Sequence, residues 1–199
     1  MPPDMPQSVA LNIVGEQVAL GPLRSDLLDL YQRWLNDFST MRNLGDTLRP
    51  TARETVAAWY ARRTTAPDTF VFLIYARVPV RPIGIAQLQQ VDLRNRCAEY
   101  VVAIHEPDAR GRGYGTEVTR LVLDFAFQSV GLHSVYLAVF AFNHGARRAY
   151  EKAGFSVCGR RRAALLLDGR YWDEDIMECL ASEYTPSGLG QELTPIPET

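Results

Sequence analysis

The chain has 199 residues, of which 47% are hydrophobic, enough to form the core of one domain. Its formal net charge of -2 disfavours a nonspecific nucleic-acid binder, which needs an excess of basic residues. We expect a cytoplasmic protein with no membrane partner, since MPPDMPQSVA lacks a signal-peptide pattern and no apolar run reaches membrane-spanning length. The cysteines Cys97, Cys158 and Cys179 lack CxxC spacing, which predicts reduced thiols without a disulfide framework or zinc site.

Alternating or β-branched and aromatic residues predict the strands of the fold. The predicted strands cover residues 18–20, 69–77, 83–91, 97–104, 135–140, 155–167 and 171–180. The second and third form an antiparallel hairpin that turns at 78–82. The last two turn at Asp168-Gly169, the strongest short hairpin signal.

Helical spacing of apolar residues predicts helices between these strands. They run from Ser25-Asp26 to about Leu35, from a capping box at Thr51 to about Arg63, over 117–127, and from Asn143 to about Lys152. The order of elements predicts an α/β fold of the mixed α+β type. We expect one domain over 1–184 and a flexible tail over 185–199, which is rich in proline and glycine.

The stretch ARGRGYGTE, residues 109–117, joins a predicted strand to a predicted helix. Such a turn directs backbone N–H groups and the positive helix end at one point, which suits a phosphate. Arg110 and Arg112 can add charge-assisted contacts. The glycine spacing is not GxGxxG and no GK[ST] follows, so a dinucleotide fold and a P-loop are disfavoured. A tight turn with solvated arginines is the alternative.

Two ordered motifs resemble the signatures of the GNAT N-acetyltransferase superfamily. Residues 110–115 (RGRGYG) match its [QR]-x-x-G-x-[GA] loop, and residues 143–155 (NHGARRAYEKAGF) look like its second signature. The resemblance covers roughly residues 17–180, with a motif core at about 69–180. It is closest to the RimJ/RimL-like branch, whose features here are WLND at 34–37, PIG at 82–84, AE at 98–99 and LDG at 167–169.

The resemblance implies a GNAT fold, a mostly antiparallel mixed sheet splayed between its fourth and fifth strands, with helices on both faces. It implies acetyl-CoA as co-substrate, no metal, and direct transfer of acetyl to a primary amine in a ternary complex. The implied cofactor-binding residues are Val102, Ala103, Ile104, Arg110, Gly111, Arg112, Gly113, Tyr114, Gly115, Thr116, Asn143, Ala146 and Tyr150. In this set a backbone N–H around Val102 to Ile104 polarises the thioester carbonyl.

The resemblance also implies the catalytic residues. Tyr150 matches the tyrosine that protonates the departing thiolate, and a phenol with a pKa near 10 can do so without being ionised. An ordinary packed aromatic is the alternative. Glu99 is the leading base, because the acidic residue at this place in related enzymes lies near the acceptor amine. His105, a water relay, and a merely solvent-facing Glu99 remain alternatives. His133 and His144 show no metal-site spacing.

The acceptor pocket should involve the 36–50 segment and the turn before Tyr171-Trp172, which related enzymes vary. Acidic residues there can attract a cationic amine or simply be solvated: Asp46, Asp168, Asp173 and Glu174. The expected acceptor is a protein N-terminal α-amine or a small-molecule amine, and a homodimer is one expected assembly. The alternatives are a CoA-binding regulatory or scaffold module without turnover and a ribosome-associated protein that uses Arg160 to Arg162.

Overall fold

An eight-stranded mixed sheet forms the centre of the computed structural model, which describes residues 9–45 and 48–188. Its strands are β1 (Ile13–Val14), β2 (Val18–Gly21), β3 (Phe70–Arg77), β4 (Val80–Asp92), β5 (Cys97–Ile104), β6 (Ser134–Phe140), β7 (Ser156–Leu167) and β8 (Arg170–Leu180). Their order in the sheet is β1-β2-β3-β4-β5-β6-β8-β7. All neighbours are antiparallel except β5 and β6, which confirms the predicted mixed, mostly antiparallel sheet.

The helices connect the strands and cover the sheet. They are α1 (Leu28–Leu35), α2 (Phe38–Met41), α3 (Arg53–Thr65), α4 (Tyr114–Asp124) and α5 (His144–Ala153). Short 3₁₀ turns occupy Ser25–Leu27, Arg42–Leu44 and Pro107–Ala109, and a π-helical turn at Phe125–Ser129 extends α4. The predicted helices therefore exist, and the 36–50 segment, which has no clear period, contains α2.

Strand β3 shows why both faces of the sheet carry helices. Phe72 and Ile74 belong to the core cluster that includes α4, whereas Leu73 and Tyr75 belong to a second cluster with Tyr31 of α1. Because alternate side chains point to opposite faces, a strand buried on both faces needs a continuous apolar run such as FVFLIYA. This arrangement confirms the predicted helices on both faces.

The sheet opens between β5 and β6. Their parallel pairing is limited to residues 97–99 of β5 and 134–136 of β6. Strand β5 nevertheless stays paired with β4 as far as Ile104, which lies opposite Gly84. A Cβ at Gly84 would lie 2.2 Å from the Ala103 carbonyl oxygen, so only glycine allows this close approach. The wedge that results is the predicted splay between the strands at 97–104 and 135–140.

Some local predictions are wrong. The capping box at Thr51 does not form, because the Thr51 N–H donates to Asn36 Oδ1 (2.9 Å) and its hydroxyl donates to the Arg49 carbonyl (3.1 Å). Helix α3 instead begins after Ala52 without a side-chain cap. The β3–β4 turn leaves only residues 78–79 outside the strands, and α4 begins at Tyr114 rather than at 117. Residues 46 and 189–199, and hence the predictions for Asp46 and most of the tail, lie outside the described residues.

Candidate active site

The glycine loop between β5 and α4 has the backbone geometry of an anion site. Gly111 (φ 72°) and Gly113 (φ 86°) are left-handed, a conformation that glycine adopts without a Cβ penalty. Gly113 is the N-cap of α4, and its carbonyl accepts hydrogen bonds from the N–H groups of Thr116 (3.0 Å) and Glu117 (3.2 Å). The N–H groups before them begin the helix and have no intrahelical acceptor, so they can bind an anion.

The loop glycines also border open space. A Cβ placed on Gly111, Gly113 or Gly115 would meet no heavy atom within 4 Å. The loop therefore has room for a ligand directly at its backbone. This geometry fits the pyrophosphate of coenzyme A, which needs close approach to several N–H donors.

The Arg110 side chain is hydrogen-bonded to the end of β5. Its guanidinium donates to the carbonyls of Ile104 (3.0 Å) and His105 (2.9 Å) and to Thr40 Oγ1 (2.5 Å). These bonds use Nε and Nη2 and link the loop to α2, whereas Nη1 donates to none of the described residues. Arg110 also lines the cavity, so the candidate anion donors are the backbone N–H groups of the loop and Nη1 of Arg110.

A cavity of about 590 Å³ lies where the loop, α5 and the splayed strands β5 and β6 meet. It brings together most of the residues that the sequence predicted for the site: Glu99, Val102, Ala103, Ile104, Arg110, Gly111, Gly113, Gly115, Thr116, Asn143, Ala146 and Tyr150. Arg112 and Tyr114 are not part of its wall, and Tyr114 packs against the core instead. Residues from three separate sequence motifs thus share one concave site.

Asn143 and Gly154 define the helix that carries Tyr150. The Asn143 Oδ1 accepts a hydrogen bond from the Ala146 N–H (3.2 Å) and so caps α5 at its N-terminus. Gly154 ends the helix in a left-handed conformation with φ 115°. The two ends of the second motif therefore fix the length of α5 and with it the position of Tyr150.

Tyr150 faces the cavity from within an aromatic cluster. Its ring lies at centroid distances of 6.3 Å from Tyr100 and 6.0 Å from Phe155, and the residue is only 8% exposed. Burial raises the pKa of Tyr150 to about 12, so the hydroxyl is protonated at neutral pH. A neutral phenol at the cavity wall can donate a proton or a hydrogen bond to a ligand.

Glu99 lies at the last paired position of β5 and β6, at the point where the wedge begins. Its Oε2 accepts hydrogen bonds from the side-chain amides of Gln89 (2.8 Å) and Gln90 (3.0 Å) of β4. The carboxylate is half-buried and lines the cavity. Sequence reasoning missed both glutamines, because their approach to Glu99 depends on the pairing register of β4 and β5.

His105 lies outside the cavity wall and is buried. Its ring stacks on Trp34 with centroids 4.8 Å apart, and its Nδ1 has no hydrogen-bond partner among the described residues. Burial, and next the nearby charge of Arg110, lower the pKa of His105 to about 4. The imidazole is therefore neutral at pH 7.

The acidic acceptor candidates differ in their surroundings. Glu174 lines the cavity, is 7% exposed, and accepts from Arg161 Nη1 at 2.5 Å. Asp168 pairs with Arg42 (2.6 Å), and Asp173 accepts the Ala163 N–H (2.9 Å). Only Glu174 of these three is both buried and part of the cavity wall.

The arginine run on β7 is largely engaged within the protein. Arg160 donates to Asp175 at 2.6 Å, and Arg161 pairs with Glu174. These ion pairs join β7 to β8. Arg162 is also exposed, and it forms no ion pair with the described residues.

Several cavity residues had not been named individually from the sequence. They come from the 36–50 segment, which the sequence assigned as a whole to the acceptor pocket, from β6 and from α5: Thr40, Asn43, Leu44, Phe140, Arg148, Ala149 and Lys152. The α5 members follow Gly145 at intervals of three or four residues, which is one face of a helix. This helical spacing, together with the predicted role of Tyr150, was the sequence signal that could have placed these α5 residues at the site. The 36–50 segment was expected to contribute from the family resemblance, but because it lacks a period the sequence did not indicate which of its residues would do so.

Three further features of the structure are its potential metal ligands, its cysteine thiols, and the length and apolar character of its helices. Within residues 9–45 and 48–188 no group of three or more His, Cys, Asp and Glu side chains is placed to hold a metal ion. The three cysteines are free, and burial raises the pKa of Cys179 to about 11, which keeps this thiol protonated. Across the same described part of the chain, no helix has the length and apolar character needed to cross a membrane.

Known proteins are similar to this chain in sequence and in fold. A spermidine N(1)-acetyltransferase of Vibrio cholerae is 32% identical over 102 residues, which are 51% of this chain and 58% of that protein. A prophage-derived uncharacterized N-acetyltransferase of Bacillus subtilis is 26% identical over 159 residues, 80% of this chain and 87% of that protein. The chain thus spans little more than half the length of the Vibrio relative.

The fold comparison agrees with the sequence comparison. The crystal structure of the Vibrio cholerae spermidine N-acetyltransferase in complex with CoA and spermine superposes with a TM-score of 0.78 at 24% identity, covering 84% of this chain and 98% of that one. This similarity establishes the shared fold. The family model described as an acetyltransferase (GNAT) domain matches residues 17–156. The chain therefore belongs to the GNAT acetyltransferase domain family.

Proposed function

We propose that this protein transfers an acetyl group from acetyl-CoA to a primary amine of a small polycationic acceptor, of the class to which spermidine belongs. The observation that carries the proposal is the division of charge in the cavity. Arg148 and Lys152 of α5 line the cavity together with the glycine loop, whereas the Glu99 carboxylate lines it from the sheet. Glu174 also lines the cavity, and its charge is paired with Arg161. Phosphate is attracted to the side of Arg148 and Lys152, and an ammonium group to the side of Glu99.

The coenzyme end of the site is built from backbone groups. The N–H groups of the loop and the first turn of α4 bind the pyrophosphate, and Arg148 and Lys152 add positive charge. On the open edge of β5, residues 102–104 have no pairing partner in β6. Those of their backbone groups that are bonded neither to β4 nor to Arg110 are available to the thioester arm and its carbonyl. When bound, acetyl-CoA supplies an activated acetyl group as a thioester.

The reacting groups have complementary proton roles. A polyamine nitrogen with a pKa near 10.4 must lose a proton before attack, at a cost of about 4.6 kcal/mol at pH 7. Glu99 attracts the ammonium and accepts its proton, directly or through water. Tyr150 then donates to the departing thiolate. Both reactants are held in one cavity, so no covalent enzyme intermediate is needed, in keeping with the protonated Cys179.

The geometry supports Glu99 over His105 as the base. Glu99 lines the cavity, and the Oε1 atom of its carboxylate accepts no hydrogen bond from the described residues. His105 is absent from the cavity wall and stacked under Trp34. The relatives named spermidine N(1)-acetyltransferases add support for the acceptor class.

The test is thiol release from acetyl-CoA by the purified full-length chain across a panel of amines. The panel contains spermidine, spermine, aminosugars, amino acids, and peptides that begin with Ala or Ser. Release that depends on the polyamines and is weak with the others supports the proposal. Faster turnover of the peptides would instead favour the RimJ/RimL-like prediction of a protein N-terminal acceptor. Binding of acetyl-CoA without release by any amine would favour a CoA-binding module.

The wider predictions from the sequence stay predictions. These are a cytoplasmic location, a homodimer, and one domain over residues 1–184. Cell fractionation tests the first, and light scattering on the eluted protein tests the second. A single cooperative unfolding transition supports the third.

A further inference from the structure

The β4 strand departs from regular geometry beside Glu99. Its register against β5 shifts between Gln89 and Asp92, and Gln90 has a left-handed φ of 52°. Successive side chains of a regular strand point to opposite faces, so Gln89 and Gln90 would ordinarily be unable to reach the same atom. The bulge rotates Gln90 until both amides donate to Glu99 Oε2. A positive φ at a non-glycine residue is strained, and such strain concentrates at functional sites.

The hydrogen bonds behind Gln89 have a fixed direction. Arg63 Nη1 of α3 donates to the side-chain oxygens of Gln87 (2.5 Å) and Gln89 (3.0 Å). Gln87 Nε2 also donates to the Gln89 oxygen (2.8 Å), which leaves the Gln89 amide nitrogen to face Glu99. Arginine can only donate, and an ionised carboxylate can only accept. This series of hydrogen bonds therefore starts at a donor, Arg63, and ends on Glu99 as an acceptor.

The two carboxylate oxygens of Glu99 differ in their hydrogen bonding. Both glutamine bonds fall on Oε2, and Oε1 accepts no hydrogen bond from the part of the chain that the structure describes. The carboxylate is held by one oxygen, and the other is left at the cavity wall. A carboxylate held in this way has a defined orientation before any ligand arrives, which lowers the entropic cost of binding.

We propose that Gln89 and Gln90 are positioning residues that hold Glu99 as an oriented anion with Oε1 directed to the acceptor ammonium. The proposal rests on the proposed function, since it concerns how that site treats its amine. Gln89 and Gln90 act only through Glu99. They therefore influence the amine half of the reaction and leave the acetyl-CoA half untouched.

The test is Gln90→Gly in the full-length enzyme. Glycine accepts the left-handed φ without strain and removes only the exposed amide, so the fold keeps its Tm or gains slightly. We expect kcat/KM for spermidine to fall about tenfold, as for the loss of one hydrogen bond to a charged group, while KM for acetyl-CoA is unchanged. Gln89→Met keeps the side-chain length but also removes the acceptor of Arg63 and Gln87, so it should lower the Tm while its kinetic loss stays confined to the amine.

Ala163→Gly is the matched control. Ala163 is an exposed residue in a bulge of β7 with the same φ of 52° and no polar side chain. Its substitution relieves the same strain away from Glu99, so the Tm should respond as in Gln90→Gly. Its kinetic constants for both substrates should match those of the wild type.

The outcomes separate the two proposals. Wild-type kinetics in both Gln90→Gly and Gln89→Met, together with a large loss in Glu99→Gln, would overturn the positioning role and leave the proposed function standing. A parallel change in the constants for amine and acetyl-CoA would reveal a merely structural role and overturn it as well. If the wild type neither binds nor acetylates any amine of the panel, the proposed function fails and the positioning role fails with it.

Discussion

Arg147 Nη1 donates to the Asp175 carboxylate at 2.6 Å and thereby ties the helix of Tyr150 to strand β8. Asp175 has no exposed surface, and its other oxygen accepts from Arg160 of β7 at 2.6 Å. Arg147 lies one turn before Tyr150 on α5. A single buried carboxylate thus holds together α5, β7 and β8, and the position of Tyr150 in the cavity depends on it.

Replacing Asp175 by Asn should destabilise the fold and misplace Tyr150. The amide removes the charge that both guanidinium groups meet in the protein interior, and we expect a loss of about 2 kcal/mol in the free energy of unfolding. Urea denaturation measures this loss, and steady-state kinetics should show a lower kcat. The control is Glu151→Gln, which breaks the exposed Arg147–Glu151 pair and should cost less than about 0.5 kcal/mol. Equal effects of the two substitutions would contradict the assigned role.

Tyr150→Phe should lower kcat about 100-fold, because it removes the general acid and leaves the aromatic cluster in place. The hydroxyl forms no hydrogen bond with the described residues, so the Tm should not change. Calorimetric titration should give a Kd for acetyl-CoA equal to that of the wild type. A kcat that stays at the wild-type level would remove Tyr150 as the acid.

Gly113→Val should weaken acetyl-CoA binding about tenfold, because it forces a β-branched side chain into a left-handed conformation at the anion site. Gly131→Val is the matched control. Gly131 has a similar φ of 74° and open space around it, but it does not line the cavity. Both variants should lose stability, and only Gly113→Val should raise the Kd measured by calorimetry. A normal Kd for Gly113→Val would count against the loop as the pyrophosphate site.

His105 should make the fold sensitive to acid. Its pKa is about 4 when folded and 6.5 in a model peptide, so the unfolded chain binds the proton more readily. The stability present above pH 6.5 is therefore lost as the pH falls toward 4, by about 3 kcal/mol. His105→Phe keeps the stacking on Trp34 and removes the titration. Denaturation at pH 7 and pH 4.5 should show a smaller difference for the variant, and an equal difference would refute this origin.

Local patterns in the sequence predict the parts of the site that depend on local chemistry. The left-handed glycines at 111 and 113 follow from a strand-to-helix turn, and the Asn143 cap and Gly154 stop follow from helix-end preferences. The wedge between β5 and β6 was predicted from the family resemblance. Composition and periodicity alone contain no sign of it.

Contacts between distant segments were not predictable in the same way. Thr51 looks like a helix cap, yet its N–H binds Asn36, 15 residues away. Arg110 was predicted to bind phosphate, and its additional bonds to the end of β5 and to Thr40 could not be predicted from the sequence. The glutamines beside Glu99 depend on a bulge that sets their register, and no sequence period reports a bulge.

The central claim is most directly tested by mass spectrometry of spermidine after incubation with acetyl-CoA and the purified protein. The account predicts a monoacetylated polyamine and an equal amount of free CoA thiol, with both products greatly reduced in Tyr150→Phe. Bound acetyl-CoA with neither an acetylated amine nor free thiol would contradict it.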